Sequence, residues 1–151
     1  MGKYDFNLDL PIAQKTQQQV TKFLLDKYLK LKFVEDCDNA DFDLKFAWYF
    51  TAEVKEDFAC GETGNVCVEY SCRGKDSGIA RTKADYFIYK LHESDGIKSL
   101  YWIKTKKLKK MIKDGMYYMR VNGGDKGSNS KCYLFSLSTI KDNWEYLGKV
   151  E

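Results

Sequence analysis

The sequence predicts an α/β domain: a mixed sheet with an antiparallel meander, flanked by helices. Three observations predict it. Ile12, Val20, Leu24, Tyr28 and Leu31 recur at helical spacing. Segments 42–55 and 65–72 alternate apolar with polar residues, the period of a strand with one buried face. Leu108, Met111 and Ile112 then return to helical spacing inside a lysine-rich run. A core that uses both periods needs helices packed against a sheet.

Taken in order, the first element is an amphipathic helix over about 12–32, with Pro11 in its first turn and Asp9 as a cap. Strands follow at 42–48 and 50–55, and GETGN (61–65) has the composition of a tight turn. In 65–72, Val66, Val68 and Tyr70 share one face, and Cys67 and Glu69 the other. These three segments read as the meander. Ser77 is placed to cap a short helix around 78–84. Residues 85–91 and 99–103 read as strands. Thr105 caps the lysine-rich helix, which Gly115 ends. A strand at 116–121, a flexible loop at 122–131 and a strand at 133–137 come next. Ser138 or Thr139 starts a short closing helix.

With 151 residues, no internal repeat and no linker, the chain is expected to be a single domain over 1–151. Hydrophobic residues make up 44%, which excludes a disordered tail. A net charge of +3 does not by itself announce nucleic-acid binding. The five cysteines and the absence of a secretion signal point to free thiols in a reducing, cytoplasmic compartment. The N-terminus fails the myristoylation pattern because Phe6 stands where Ser or Thr is wanted. No segment has the length and apolarity of a membrane span.

Chemistry concentrates at Asp43 and Glu53-Val54-Lys55. On a strand, Glu53 and Lys55 share a face, and Asp43 on the preceding strand reaches the same spot. Two carboxylates and a lysine suit a divalent metal and a phosphodiester. Asp43 and Glu53 would bind Mg²⁺ or Mn²⁺, joined by the carbonyl of Val54. Lys55 would position or deprotonate a water, or stabilise developing negative charge. Glu69 is a further candidate for a second metal or for orienting a water.

These residues resemble the PD-(D/E)XK nuclease superfamily, whose members share a helix, a three-stranded meander, a helix and a further strand. The motif matches as Asp43 and Glu53-Val54-Lys55, with Phe42 where the family places a proline. The longer segment TGNVCVEYSCRGKDSGIARTKADYFIYKL (63–91) is similar to small phage-type members. The resemblance implies a restriction-endonuclease-like core and a metal-dependent endonuclease acting on DNA, of phage or mobile-element origin, with a homodimer common among members. It implies Asp43, Glu53, Lys55 and Glu69 as catalytic residues and Asp43, Glu53 and Val54 as metal ligands. Where some members carry a first-helix glutamate, this chain offers Gln17, Gln18 and Gln19, with Asp26 the only acid of the central helix. Ser77 would hold a phosphate at a helix N-terminus, and Arg73, Lys75, Arg81 and Lys83 would meet the DNA backbone.

Each feature also has a plain structural reading. Asp43, Glu53 and Lys55 could be charged pairs on solvated strands, and Glu69 half of a cross-strand ion pair. The lysines of 104–113 read as a solvated helix face. Cys60, Cys67 and Cys72 lack the C-x-x-C spacing of a zinc site and read as half-buried thiols. His92 reads as a surface residue. Trp48, Tyr49, Tyr86, Tyr89, Tyr101 and Trp102 read mostly as core. A rival function is a nuclease fold kept for binding, one that bridges or inhibits a nucleoprotein partner.

Overall fold

Val20 and Leu24 lie four residues apart, so they stack on one face of helix α1 (Phe6–Lys27) and are fully buried. The computed structural model describes residues 6–28, 33–36, 41–46, 50–123 and 129–151. Helix α1 starts before the expected residue 12, so Asp9 and Pro11 lie inside it. Pro11 removes one intrahelical donor. Tyr28 still donates to the Leu24 carbonyl at 2.9 Å. The expected end of this helix beyond residue 28 lies outside the described residues, as do Cys37, Trp48, Tyr49 and residues 124–128 of the loop expected at 122–131.

The strands form two sheets. The larger has the order β1 (Phe33–Asp36), β2 (Leu44–Phe46), β3 (Phe50–Asp57), β6 (Tyr86–His92), β7 (Lys98–Lys104) and β10 (Glu145–Val150). It is mixed: β3 and β6 run parallel, and the other neighbours are antiparallel. The smaller has the order β5 (Lys75–Asp76), β4 (Asn65–Cys72), β9 (Ser130–Ser136) and β8 (Met119–Gly123).

The α/β class and the mixed sheet are therefore as expected, but the meander is a different one. It consists of β1, β2 and β3, and the segment 65–72 leaves it for the second sheet. The physical reason is the connection after β3. GETGN is not a hairpin turn. Residues Cys60–Thr63 make a single helical turn, α2, closed by Gly64 in the left-handed region at φ 69°. That turn redirects β4 away from β3. Asp57 holds it in place, accepting from the backbone N–H groups of Ala59 at 3.0 Å and Cys60 at 2.9 Å.

Both faces of the larger sheet are buried, as a parallel pair at its centre requires. On one face, Ala52, Val54 and Ile88 pack with Val20, Leu24 and Leu147. On the other, Phe87, Tyr89 and Leu91 join Val66, Val68 and Phe135 of the smaller sheet in a second core cluster. The backbone of Cys67 links the sheets directly. Its N–H donates to Asp57 Oδ2 at 3.2 Å, and its carbonyl accepts from the Tyr89 hydroxyl at 3.1 Å.

Helix α3 (Thr105–Lys113) buries Leu108 and Met111 on that second face. Thr105 does not cap it; its hydroxyl donates to the Ala84 carbonyl at 2.6 Å. Gly115 turns the chain after it at φ 71°. Ser136 caps helix α4 (Leu137–Asn143), accepting from the Thr139 N–H at 3.1 Å. The helix expected at 78–84 is one 3-10 turn, Gly78–Ala80. Among the described residues no helix is long and apolar enough to cross a membrane.

Candidate active site

Asp43 immediately precedes β2. Its N–H still donates to the Ala52 carbonyl at 2.9 Å, as a strand residue would. Its side chain then replaces the ladder: Oδ2 accepts from the Val54 N–H at 2.6 Å. One residue to either side of Val54, Glu53 and Lys55 point to the opposite face of β3 from Val54. They meet there, with Lys55 Nζ 2.7 Å from Glu53 Oε1. Glu53 is 9% exposed, whereas the Lys55 side chain is 39% exposed and so reaches the surface.

Thr82 completes the Glu53 environment. Its hydroxyl lies 3.3 Å from Glu53 Oε2 and 3.0 Å from the Asp41 carbonyl, and it accepts from the Ala84 N–H at 3.1 Å. A hydroxyl carries one proton, so it cannot donate to both acceptors. The nearer Asp41 carbonyl competes for it. The buried Oε2 of Glu53 is thus left with a long, shared hydrogen bond. Thr82 was not among the residues singled out from sequence. It lies in the Thr-Lys-Ala-Asp stretch of the similar segment, but a threonine there carries no charge or metal-ligand signal of its own.

Glu69 approaches from β4. Its neighbours Val68 and Tyr70 face the second core, so Glu69 is turned away from that core. Ser77 donates to Glu69 Oε1 at 2.5 Å. Gly78 lies tight against the same residue, at φ 48°, where an added Cβ would be 2.2 Å from the Glu69 carbonyl oxygen. Ser77 is thus committed to orienting Glu69, at the start of a turn too short to make a helix N-terminus.

The electrostatics converge on Lys55. Desolvation pulls its pKa down, but the carboxylates of Glu53, Asp43 and Glu69 and the hydrogen bond to Glu53 more than offset this, and its pKa is raised. At neutral pH Lys55 is an ammonium ion. Asp43, Glu53, Lys55 and Glu69 therefore belong to one electrostatic site. Among the remaining candidates, Arg73 lies at the tip of the β4–β5 hairpin with Gly74, both in the left-handed region, at φ 51° and 75°. Arg73, Lys75 and Arg81 are exposed. Lys83 is exposed too and pairs with Asp41 at 3.2 Å.

The donor set bears on which metal would suit this site. Among the described residues no group of three His, Cys, Asp or Glu side chains could hold a metal ion. A hard cation that keeps most of its waters, as Mg²⁺ does, needs only one or two carboxylates from a protein. Each carboxylate oxygen has two lone pairs, so the bonds to Asp43 and Glu53 do not exhaust them. The under-satisfied Oε2 of buried Glu53 favours a cation nearby.

The other face of β3 carries a second polar cluster. Glu56 is only 10% exposed at its side chain and lies 3.2 Å from Lys90 Nζ and 2.7 Å from His92 Nε2. Thr16 of α1 donates to its other oxygen, and Lys90 donates to Gln19 at 2.7 Å. His92 is therefore half-buried against Glu56 and Phe58 rather than a surface residue. Comparison with family models, curated proteins and solved structures finds no match for this chain.

Proposed function

We propose that the protein is a metal-dependent endonuclease acting on DNA. One observation carries the reading: Lys55 Nζ lies 2.7 Å from Glu53 Oε1, and the backbone N–H of Val54 between them donates to Asp43 Oδ2 at 2.6 Å. Asp43 stands just before β2, beside β3. The element order supports it as well: a helix, an antiparallel β1–β2–β3 and a further strand parallel to β3. That order agrees in part with the one implied by the resemblance to PD-(D/E)XK nucleases; the helix expected before the further strand is here only short turns, α2 and Gly78–Ala80.

Asp43 and Glu53 would hold Mg²⁺ or Mn²⁺, with the Val54 carbonyl a further oxygen. The bound ion supplies Lewis acidity and makes water a nucleophile at neutral pH. The chain's own residues do the rest. Lys55, protonated, attracts the phosphate and stabilises negative charge as it develops there. Thr82 and Ser77 fix the orientations of Glu53 and Glu69. Glu69 lies within the electrostatic reach of Lys55 and can accept a proton from water.

The test is cleavage of supercoiled plasmid, single-stranded circles and a branched junction with Mg²⁺, Mn²⁺ or EDTA, beside Glu53→Ala and Lys55→Ala. The expected result is metal-dependent cutting that both variants lose. No cutting of any substrate by folded wild-type protein would overturn it, in favour of a binding or inhibitory protein on the same fold.

A further inference from the structure

A cavity of about 520 Å³ lies at the end of the larger sheet, where β6 begins and β7 gives way to α3. Thr82 is part of its wall, so the cavity adjoins the Glu53 site. Two kinds of side chain dominate the rest of the lining. Lys104, Lys106 and Lys109 form one side, and Phe50 and Tyr86 form the other. A smaller cavity of about 190 Å³ shares Tyr86 and Lys104 and continues over Trp102 and Lys107.

The charge in the cavity is unbalanced. Asp85 is its one acid, its Oδ2 held by the N–H of Thr51 at 2.9 Å and the Thr51 hydroxyl at 3.1 Å, against Lys104, Lys106, Lys109 and Lys83, the last paired with Asp41. Among the described residues Lys104, Lys106 and Lys109 pair with no carboxylate. Lys104 and Lys106 also stand at the positive end of α3, whose first turn has no acid. Cations there oppose the helix dipole, so folding alone does not favour them. The lysines are exposed, as the reading of a solvated helix face expects, and three of them also border the cavity.

The aromatic side is a platform of half-buried rings. Tyr86 stacks on Trp102 at 4.7 Å and 26°, and Phe50 meets Tyr86 edge-on at 5.3 Å. Rings beside unpaired cations are what a nucleotide with an exposed base requires, because phosphate and base are bound together. We propose that this trough holds an unpaired stretch of the nucleic-acid substrate, phosphates on Lys104, Lys106 and Lys109 and a base on Phe50 and Tyr86, and leads the strand around the end of the sheet past Thr82 toward Glu53, which lies on the opposite face from those rings. The choice of substrate rests on the endonuclease reading; the trough itself is tested by binding alone.

The experiment measures fluorescence anisotropy of a labelled short single strand and the matching duplex, over a salt series, in a Glu53→Gln background that keeps the probes intact. Lys106→Glu/Lys109→Glu is compared with Lys98→Glu/Lys149→Glu. The second pair makes the same charge change at the far end of the sheet, about 20 Å along β7 from Lys104. The first pair is expected to weaken single-strand binding at least ~10-fold and to flatten the salt slope by about 1.4. The second pair should change it less than about 3-fold, and the parent should prefer the single strand. Equal effects of the two pairs, unchanged binding in the first, equal affinity for duplex, or no binding by the parent would each overturn the trough. Plasmid cleavage would still decide the endonuclease reading separately. Lys106 and Lys109 are exposed, and a thermal melt of each variant confirms that it folds.

Discussion

Lys55 and Lys90 show how placement on one strand or the next decides what a lysine does. Lys55 reaches the surface and has a raised pKa, so in the proposed mechanism it acts as a charge and not as a base. Lys55→Arg is therefore expected to keep more cleavage than Lys55→Met, with the methionine variant down ~100-fold or more. Equal loss in both, measured by initial rates on plasmid, would assign Lys55 a proton-accepting role instead. Lys90 is 6% exposed at its side chain and faces Glu56, which is 10% exposed. Removing one partner of such a pair strands the other charge, so Lys90→Met should cost ~3–5 kcal/mol in urea unfolding. Lys90→Met/Glu56→Gln should recover most of that loss, because no buried charge remains.

Glu56 also sets a pH dependence. Burial raises its pKa, but the hydrogen bonds from Thr16 and His92 and the charge and hydrogen bond of Lys90 outweigh burial, and the net shift is downward. A carboxyl with a lower pKa in the folded state contributes stability above its unfolded value and loses it as pH falls through the folded one. The melting temperature of the wild type should therefore fall more steeply below about pH 4.5 than that of Glu56→Gln. Parallel profiles would show that other carboxyls dominate acid unfolding. Lys55 acts in the opposite sense. Its raised pKa contributes stability below the ordinary lysine range, lost as pH rises through the folded value.

At the scale of elements, two glycines fix how short turns dock. Gly61 of α2 lies against the end of β6: an added Cβ would be 2.6 Å from the Glu93 carbonyl carbon and 2.7 Å from the His92 oxygen. Gly78 has φ 48° and lies against Glu69. Gly78→Ala combines a left-handed alanine, worth ~1–2 kcal/mol, with a backbone clash. It is expected to destabilise the fold by at least about 2 kcal/mol and to lower cleavage by displacing Glu69. An unchanged unfolding midpoint would mean that the Ser77 turn moves freely. At this scale the sequence was legible wherever the period was strong. β3, β4, β6, β7 and α3 lie within a residue or two of expectation. The strands β1, β5 and β10 were not read: β5 has two residues, β1 four, and β10 includes Gly148. That glycine lies at an irregularity in the β10–β7 pairing and has the ring of Phe23 against it.

At the scale of the molecule, the larger sheet serves both core clusters, one on each face. Neither face can be exposed without losing the strands that carry the other. Unfolding is therefore expected to be a single transition, with far-UV circular dichroism and tryptophan fluorescence coincident in urea. Trp144 lies in one cluster and Trp102 packs against the other, so separate transitions would be visible and would show two folding units.

The sequence by itself determined the α/β class, the strands that carry Glu53, Lys55 and Glu69, and the placing of Glu53 and Lys55 on one face. These follow from period-two alternation and spacing, which are local. Tertiary structure alone decided that 65–72 joins a second sheet, because alternation specifies which face is buried but not which strand lies alongside. It also decided that Glu69 still acts on Lys55 from there, that Thr82 reaches Glu53 and that three lysines of a helix border a cavity. Each of these depends on residues far apart in the chain meeting in space, and no local pattern carries that information.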